Sequence, residues 1–260
     1  MKEIEIAFIG GSGLYKIPNF KNSKWIEVSS NFGKTSSKIC IGSLNGKNIA
    51  FLPRHGLDHN ISPSKINYRA NIEALKKINV QNIVSISAVG SLREDYKPSD
   101  FVLVDQFIDK TFLREKSFFD EDCVAHIPMA SPICENLKKI SSKALENLKL
   151  NFHSAGTYIC IEGPQFSTLA ESNLYRSWGC DIIGMTNMPE SKLAKEAGIC
   201  YVSLSMVTDY DCWHKDHDSV TVDQIVKVMK KNSDNALKFI DEICKNKSIR
   251  CSEETKNLTV

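Results

Sequence analysis

Asp209 and Asp211 stand two residues apart in SMVTDYDCWH, at the end of the most apolar run of the chain. On an extended backbone residues i and i+2 point to the same side. Two carboxylates on one side raise each other's pKa, which suits a group that must hand a proton to a leaving heteroatom; a solvated loop is the competing reading. Arg54 and His55 follow another apolar run, in LPRHG. Arginine is scarce, six against 27 lysines, so an Arg placed where a strand ends is a candidate for bidentate binding of phosphate or carboxylate. FIGGSGLY, residues 8–15, is a glycine turn after the first apolar run. Lys16 stands where a dinucleotide fingerprint needs Gly or Ala, no acidic residue follows at the ribose-binding distance, and the P-loop pattern is missing. What remains is a set of bare N–H groups and the Ser12 hydroxyl, able to cradle an oxyanion, or a plain tight turn.

Three further segments carry groups of the same kind. In SISAVGSLR a strand runs into a small-residue corner, where Ser87 and the Ala88 amide offer phosphate donors; close packing explains small residues at a strand end equally well. IEGPQFSTLAES presents Phe166 beside Ser167, an aromatic face next to a hydroxyl, which is how a flat heterocycle is held; a core Phe is the alternative. In DIIGMT the backbone near Met185 and the Thr186 hydroxyl precede a helix that begins near Pro189, and so face a helix N-terminus. Metal readings are weaker. His55 and His59 have i,i+4 spacing without the Glu of H-E-x-x-H and with Gly56 between them, and Cys212, His214 and His217 match no zinc spacing.

The elements that must position these groups alternate. β-Branched apolar runs occur at residues 4–9, 38–41, 49–52, 82–88, 101–104, 157–161, 181–184 and 199–206, several of them continuous rather than alternating, as in strands covered on both faces. Helical periodicity fills residues 67–78, 137–148 and 225–243, and a further helix is punctuated by Pro189 near its start and Gly198 after its last turn. This predicts an α/β fold, a single domain with a mixed central β-sheet flanked by helices. The domain is expected over 1–245, followed by a polar tail over 246–260 that is mobile or docks on a neighbour.

Composition narrows the class. With 33 basic against 31 acidic residues the net charge is +2, and no clustered basic face is visible, which argues against nucleic-acid binding by bulk charge. At 42% hydrophobic and 25% charged the chain is ordinary for a globular protein. No apolar stretch reaches the ~20 residues of a membrane span, and the expected setting is soluble and cytoplasmic. Nine cysteines, an odd number with no C-x-x-C pair, read as thiols.

Taken in order, GGSGL, LPRHG, NYRANI, SAVGSLRE, DQFIDKT, IEGPQFST, MTNMPE, AKEAGICY and TDYDCW resemble the methylthioadenosine phosphorylases of the trimeric purine nucleoside phosphorylase superfamily, over about residues 4–240. The resemblance implies a homotrimer and the phosphorolysis of 5′-methylthioadenosine to adenine and 5-methylthioribose 1-phosphate, without metal or organic cofactor. It also implies roles for residues. Phosphate would be held by Ser12, Arg54, His55, Ser87, Ala88 and Thr186, and ribose by the phosphate and the Met185 backbone. The base would meet Phe166 and Ser167, with Asp209 near N7 and Asp211 orienting it. The 5′-methylthio group would lie against Val222, Ile225 and Val226, with His126 reaching in from the adjacent subunit. Family members that prefer 6-oxopurines commonly carry Asn where this chain has Asp209. A carboxylate accepts from a 6-amino group but cannot donate to O6, so adenine is favoured. The alternatives are a methylthioinosine or 6-oxopurine nucleoside phosphorylase, a hydrolase that uses water, and a binding protein that keeps the fold without catalysis.

Overall fold

The computed structural model describes residues 3–11, 13–15, 17–119, 123–215 and 222–249, and of 222–225 only the backbone. Eleven strands among these residues join in one mixed sheet: β1 (Ile6–Gly10), β2 (Lys21–Ile26), β3 (Ile39–Leu44), β4 (Lys47–Pro53), β5 (Asn82–Ser91), β6 (Phe101–Leu103), β7 (Gln106–Lys110), β8 (Phe152–His153), β9 (Thr157–Ile161), β10 (Ile182–Gly184) and β11 (Cys200–Tyr210). The helices are α1 (Tyr68–Lys77), α2 (Glu135–Asn147), α3 (Leu169–Ser177), α4 (Asn187–Glu196) and α5 (Val222–Ile243). This is the expected α/β class with a mixed central sheet. The continuous apolar run of β1 is buried at every position, as a strand covered on both faces must be.

The sheet forks at its centre. β5 and β11 run parallel, paired from Asn82 with Cys200 to Ser91 with Tyr210, which occupies one edge of β5 along its whole length. The other edge is shared between two strands, β1 against residues 83–85 and β10 against residues 90–91. Residues 86–89 have no strand on that edge. Because peptide groups alternate along a strand, Ile86 and Ala88 turn theirs into the fork, whereas Val89 turns to β11, where its carbonyl accepts from Thr208 Oγ1 at 3.1 Å. Across Thr208 the register of β11 slips, so that Val207 faces Val89 and Asp209 faces Gly90. Such a bulge re-aims the side chain that follows it.

Local signals set the helix ends. Asn67 caps α1 by accepting from Ala70 N at 3.0 Å. In α4 the backbone at Met188 is still extended, so helical geometry starts at Pro189, and the turn after Ala197 uses Gly198 at φ 64°. β2, β7, β8 and α3 add to the elements read from sequence. β2 is mostly exposed and polar, so it has no apolar period. α3 opens with a capping box in which Glu171 N donates to Thr168 Oγ1 at 3.2 Å and Thr168 N to Glu171 Oε2 at 2.7 Å, a signature present in T-L-A-E.

Two features go beyond what the sequence foresaw. The start of the polar tail is seated on its own domain, since Ile249 is buried and its carbonyl accepts from Asn82 Nδ2 at 2.8 Å; residues 250–260 lie outside the described residues. Cys134 and Cys200 bring their sulfurs to 2.6 Å, a proximity that neither the odd count nor the missing C-x-x-C had given reason to expect.

Gly184, the last residue of β10, lies against the Tyr158 ring, and a Cβ there would land on the Tyr158 hydroxyl. That hydroxyl accepts from Thr186 N at 3.3 Å. Gly184→Ala is expected to cost ~1–3 kcal/mol by overpacking, measured by urea unfolding, and to displace Thr186.

Candidate active site

The fork is lined by charged and hydroxylated residues that the sequence scatters. Arg54 leaves the end of β4, its N–H bonded to Gly10 O at 2.9 Å, and turns its guanidinium into the fork with 1% of its surface exposed. Nη1 donates to Ile86 O at 3.1 Å and Nη2 to Ile9 O at 3.3 Å, supplying the carbonyls that lack strand partners. Nε and Nη2 grip Glu190 at 2.8 and 3.1 Å. The bidentate fork expected to bind phosphate or carboxylate is therefore committed to a carboxylate of the protein, and Nη1 retains the one hydrogen without a partner among the described residues. Burial alone would weaken the Arg54 cation; the adjacent Glu190 charge and hydrogen bonds outweigh it and hold the guanidinium charged.

Glu190 is completed by Ser85 Oγ at 2.6 Å and Tyr201 OH at 2.9 Å. Asn187 Nδ2 donates to that same Ser85 and Tyr201, and its Oδ1 accepts from Ser203 Oγ. In sequence this helix is marked by Pro189 and Gly198, and nothing singles out Glu190, whose burial at 1% exposure only the fold reveals. A carboxylate so placed requires a cation.

His55, next in the chain, donates from Nδ1 to Ile61 O at 2.8 Å, because a carbonyl can only accept. Burial first and the Arg54 charge second push its pKa down to about 4. The ring is therefore neutral at pH 7, with Nε2 a bare acceptor. His59 stacks beside it at 4.5 Å, and no cluster of three His, Cys, Asp or Glu able to hold a metal occurs among the described residues; His217 lies outside them.

Ser87 sits on the forked stretch of β5, and Thr186 just before α4. Both are buried, and both hydroxyls lack a hydrogen-bond partner among the described residues. Buried polar atoms are ordinarily paired, so two such hydroxyls, with the Ala88 peptide group turned into the same fork, fit an anion that accepts from them. Ser12 lies outside the described residues.

A second ion pair ties this end to the base-side turn. Arg114 donates from Nε to Glu162 Oε1 at 3.0 Å, from Nη1 to Met185 O at 2.7 Å and Met188 O at 2.6 Å, and from Nη2 to Glu162 O at 2.7 Å. Glu162 in turn accepts from Phe112 N and Leu113 N. The Met185 carbonyl is thus spoken for. Gly163, at φ 65°, lets the Gly-Pro turn press on the Met185 side chain.

Beyond that turn Phe166 is 85% exposed, which removes the core reading. Ser167 O accepts from Cys212 Sγ at 3.4 Å, joining the GPQFS turn to the TDYDCW segment. Ser167 Oγ and Asp211 Oδ2 are buried without partners among the described residues. Asp209 is half-buried, and its Oδ1 accepts from Thr208 Oγ1 at 2.5 Å. It faces Gly90, two residues beyond Ala88, so the carboxylate end lies ~7 Å along the strand from the anion end. Val226 is 57% exposed; the side chains of Val222 and Ile225 lie outside the described residues. His126 is exposed on the coil before α2, where a second chain can reach it.

The fork thus brings buried hydroxyls without partners among the described residues to one end of a gap and the Asp209 and Asp211 carboxylates to the other. The family described as the phosphorylase superfamily matches residues 5–245, and the chain belongs to it. A relative from Rhodospirillum rubrum, an S-methyl-5′-thioadenosine phosphorylase, is 54% identical over 235 residues, covering 90% of this chain and 80% of its own. The crystal structure of a methylthioadenosine phosphorylase from an Antarctic soil metagenomic library superposes with a TM-score of 0.90 at 48% identity, covering 94% of this chain and 86% of that one. The Schistosoma mansoni methylthioadenosine phosphorylase in complex with adenine gives 0.85 at 35%, covering 93% and 91%. Within the superfamily the chain falls in the methylthioadenosine phosphorylase family.

The neutral His55 makes stability depend on pH. Its folded value, about 4, lies below the ordinary 6.5. Below pH 6.5 the unfolded chain takes up a proton that the folded chain refuses, so the contribution is full above 6.5 and lost as pH falls toward 4. His55→Gln is expected to flatten that part of the Tm-against-pH curve relative to wild type.

Proposed function

We propose that the chain catalyses phosphorolysis of S-methyl-5′-thioadenosine to adenine and 5-methylthioribose 1-phosphate, with inorganic phosphate as co-substrate in the fork and no metal or organic cofactor. What supports this is that four of the six buried side-chain polar atoms without a partner among the described residues belong to the candidate site, Ser87 Oγ and Thr186 Oγ1 at one end and Ser167 Oγ and Asp211 Oδ2 at the other. The names of the relatives support the same substrate.

The residues act as follows. Ser87 and Thr186, with Ser12 and the Ala88 amide, donate to phosphate, and Arg54 adds its Nη1 and its charge. Monohydrogen phosphate carries one proton, for which the bare Nε2 of His55 is the acceptor. The C1′–N9 bond breaks with its electron pair going to the purine, while a phosphate oxygen bonds to C1′. The sugar becomes oxocarbenium-like between them, and the adjacent phosphate charge stabilises it. The purine leaves with one proton, so phosphate monoester and neutral adenine balance the proton that phosphate brought. Asp209 holds a proton near N7 as charge gathers there, and Asp211 orients it.

Phe166 packs on the base, Ser167 completes the base contacts and the Met185 N–H meets the ribose. Val222, Ile225 and Val226 line the methylthio pocket, to which the adjacent subunit's His126 is added. That last role requires assembly, for which we propose a homotrimer; Phe112 and Val124, 75% and 74% exposed, supply apolar surface near it in sequence. The phosphorylase domain is placed at 1–245 with the tail at 246–260, and the setting is cytoplasmic.

Purified protein is expected to release adenine from methylthioadenosine only when phosphate is present. Release without phosphate would make it a hydrolase, and ligand-raised Tm with no product would make it a binding protein. Ser87→Ala and Thr186→Val are each expected to raise the phosphate KM about tenfold, the equivalent of ~1.4 kcal/mol for a lost hydrogen bond. Asp209→Asn is expected to shift preference toward methylthioinosine; unchanged preference in a competition assay would place base selection elsewhere.

A further inference from the structure

α5 meets the sheet where β11 bulges. Asn232, midway along α5, is fully buried, and its Nδ2 donates to Val207 O at 2.9 Å. Val207 is the last residue of β11 before the register with β5 slips and Asp209 comes opposite Gly90. A bulge disrupts its ladder locally and lets the chain change direction, and the residue before it is anchored on the opposite edge of β11: Val207 N donates to Asp100 O at 3.0 Å, and Val207 O accepts from Ser99 N at 2.9 Å as well as from Asn232 Nδ2. Thr208 Oγ1 then has one proton to share between Val89 O at 3.1 Å and Asp209 Oδ1 at 2.5 Å.

Asn232 is an unusual choice for filling space. Its Oδ1 is buried with no partner among the described residues, a cost that an apolar side chain of similar size would avoid. The neighbouring residue closes on the other end of the site: a Cβ at Gly13, in the glycine turn at φ 92°, would stand 2.6 Å from Ser233 Oγ. One turn of α5 therefore backs both the glycine turn and the carboxylate strand.

We infer that Asn232 is a positioning residue for proton delivery to the leaving purine: by holding the Val207 carbonyl it fixes the bulge, and through the bulge the direction of the Asp209 carboxylate. This rests on the assignment of Asp209 to the base. A misdirected acid is felt most by a base that needs protonation, and less by one that leaves as a stable anion.

The test compares Asn232→Leu and Asn232→Asp with wild type on methylthioadenosine and on its 2-fluoroadenine analogue, in which fluorine stabilises the departing base and leaves the 6-amino group in place. The expected result is a ~10- to 100-fold fall in kcat on methylthioadenosine, a several-fold smaller fall on the fluoro analogue, and a phosphate KM within about twofold of wild type. Asp209→Asn should show the same leaving-group pattern, and the double variant should be no slower than Asp209→Asn alone. Equal losses on both substrates, a changed phosphate KM, or additive losses in the double variant would make Asn232 a packing residue and overturn the inference. If Asp209→Asn itself is blind to the leaving group, the assignment of Asp209 fails and the inference with it. Should Asn232→Leu and Asn232→Asp both fail to fold, Asn232→Ser carries the same comparison.

Discussion

The Arg54–Glu190 ion pair makes the forked sheet possible. Where β1 and β10 part from β5, the carbonyls of Ile9 and Ile86 lose strand partners inside the protein, and Arg54 replaces them with guanidinium donors. Bringing a cation there incurs a desolvation cost of several kcal/mol, which an unpaired charge could not meet. Glu190 supplies the counter-charge, and Ser85 and Tyr201 satisfy the remaining carboxylate lone pairs. The result is a gap that stays open without orphaned backbone. Such a network is sensitive to the loss of any one member, because each deletion leaves the others buried and unpaired.

Arg114 and Glu162 repeat that solution on the other side of the fork. There the chain leaves β9 and β10 in irregular turns, and one guanidinium gathers the carbonyls of Ile161, Glu162, Met185 and Met188. Arginine suits both places because its five donors lie in one rigid plane and stay charged; a lysine would offer a single centre. Both buried arginine–glutamate pairs thus stand where strands end, at β4 and β9.

The sequence made the strands β1, β5, β9 and β11 legible because each is a continuous apolar run, and α4 because Pro189 and Gly198 mark its ends. β2 was invisible for the opposite reason: its residues face solvent, and only pairing with β3 makes it a strand. At the site, the end-of-strand position of Arg54 and the hydroxyls of Ser87 and Thr186 could be read locally. Glu190, Arg114 and Glu162 could not, since charged residues in sequence resemble surface residues, and Arg54 meets Glu190 across 136 positions and Arg114 meets Glu162 across 48. The bidentate grip foreseen for Arg54, on phosphate or carboxylate, is taken up by the protein's own Glu190 carboxylate. A cation buried in a fold needs an internal carboxylate before it can serve an external anion.

The two ends of the site differ in how they are built. At the end proposed for phosphate Arg54, His55, Ser87 and Thr186 are all buried, with Arg54 and His55 just past β4, Ser87 within β5 and Thr186 just before α4. At the base end Phe166 stands out in solvent, Asp209 is half-buried, and the contacts of the GPQFS turn include a thiol hydrogen bond from Cys212. A small, highly charged co-substrate gains most from donors fixed in advance, because in low dielectric a reorganising donor would lose what a fixed one supplies. A flat heterocycle held by stacking and a few hydrogen bonds must enter and leave, and tolerates a softer wall. In the proposed reaction the fork would fix the nucleophile and the bulge at Thr208 the carboxylate that faces the leaving group, so the reacting bond would lie between the rigid end and the open one.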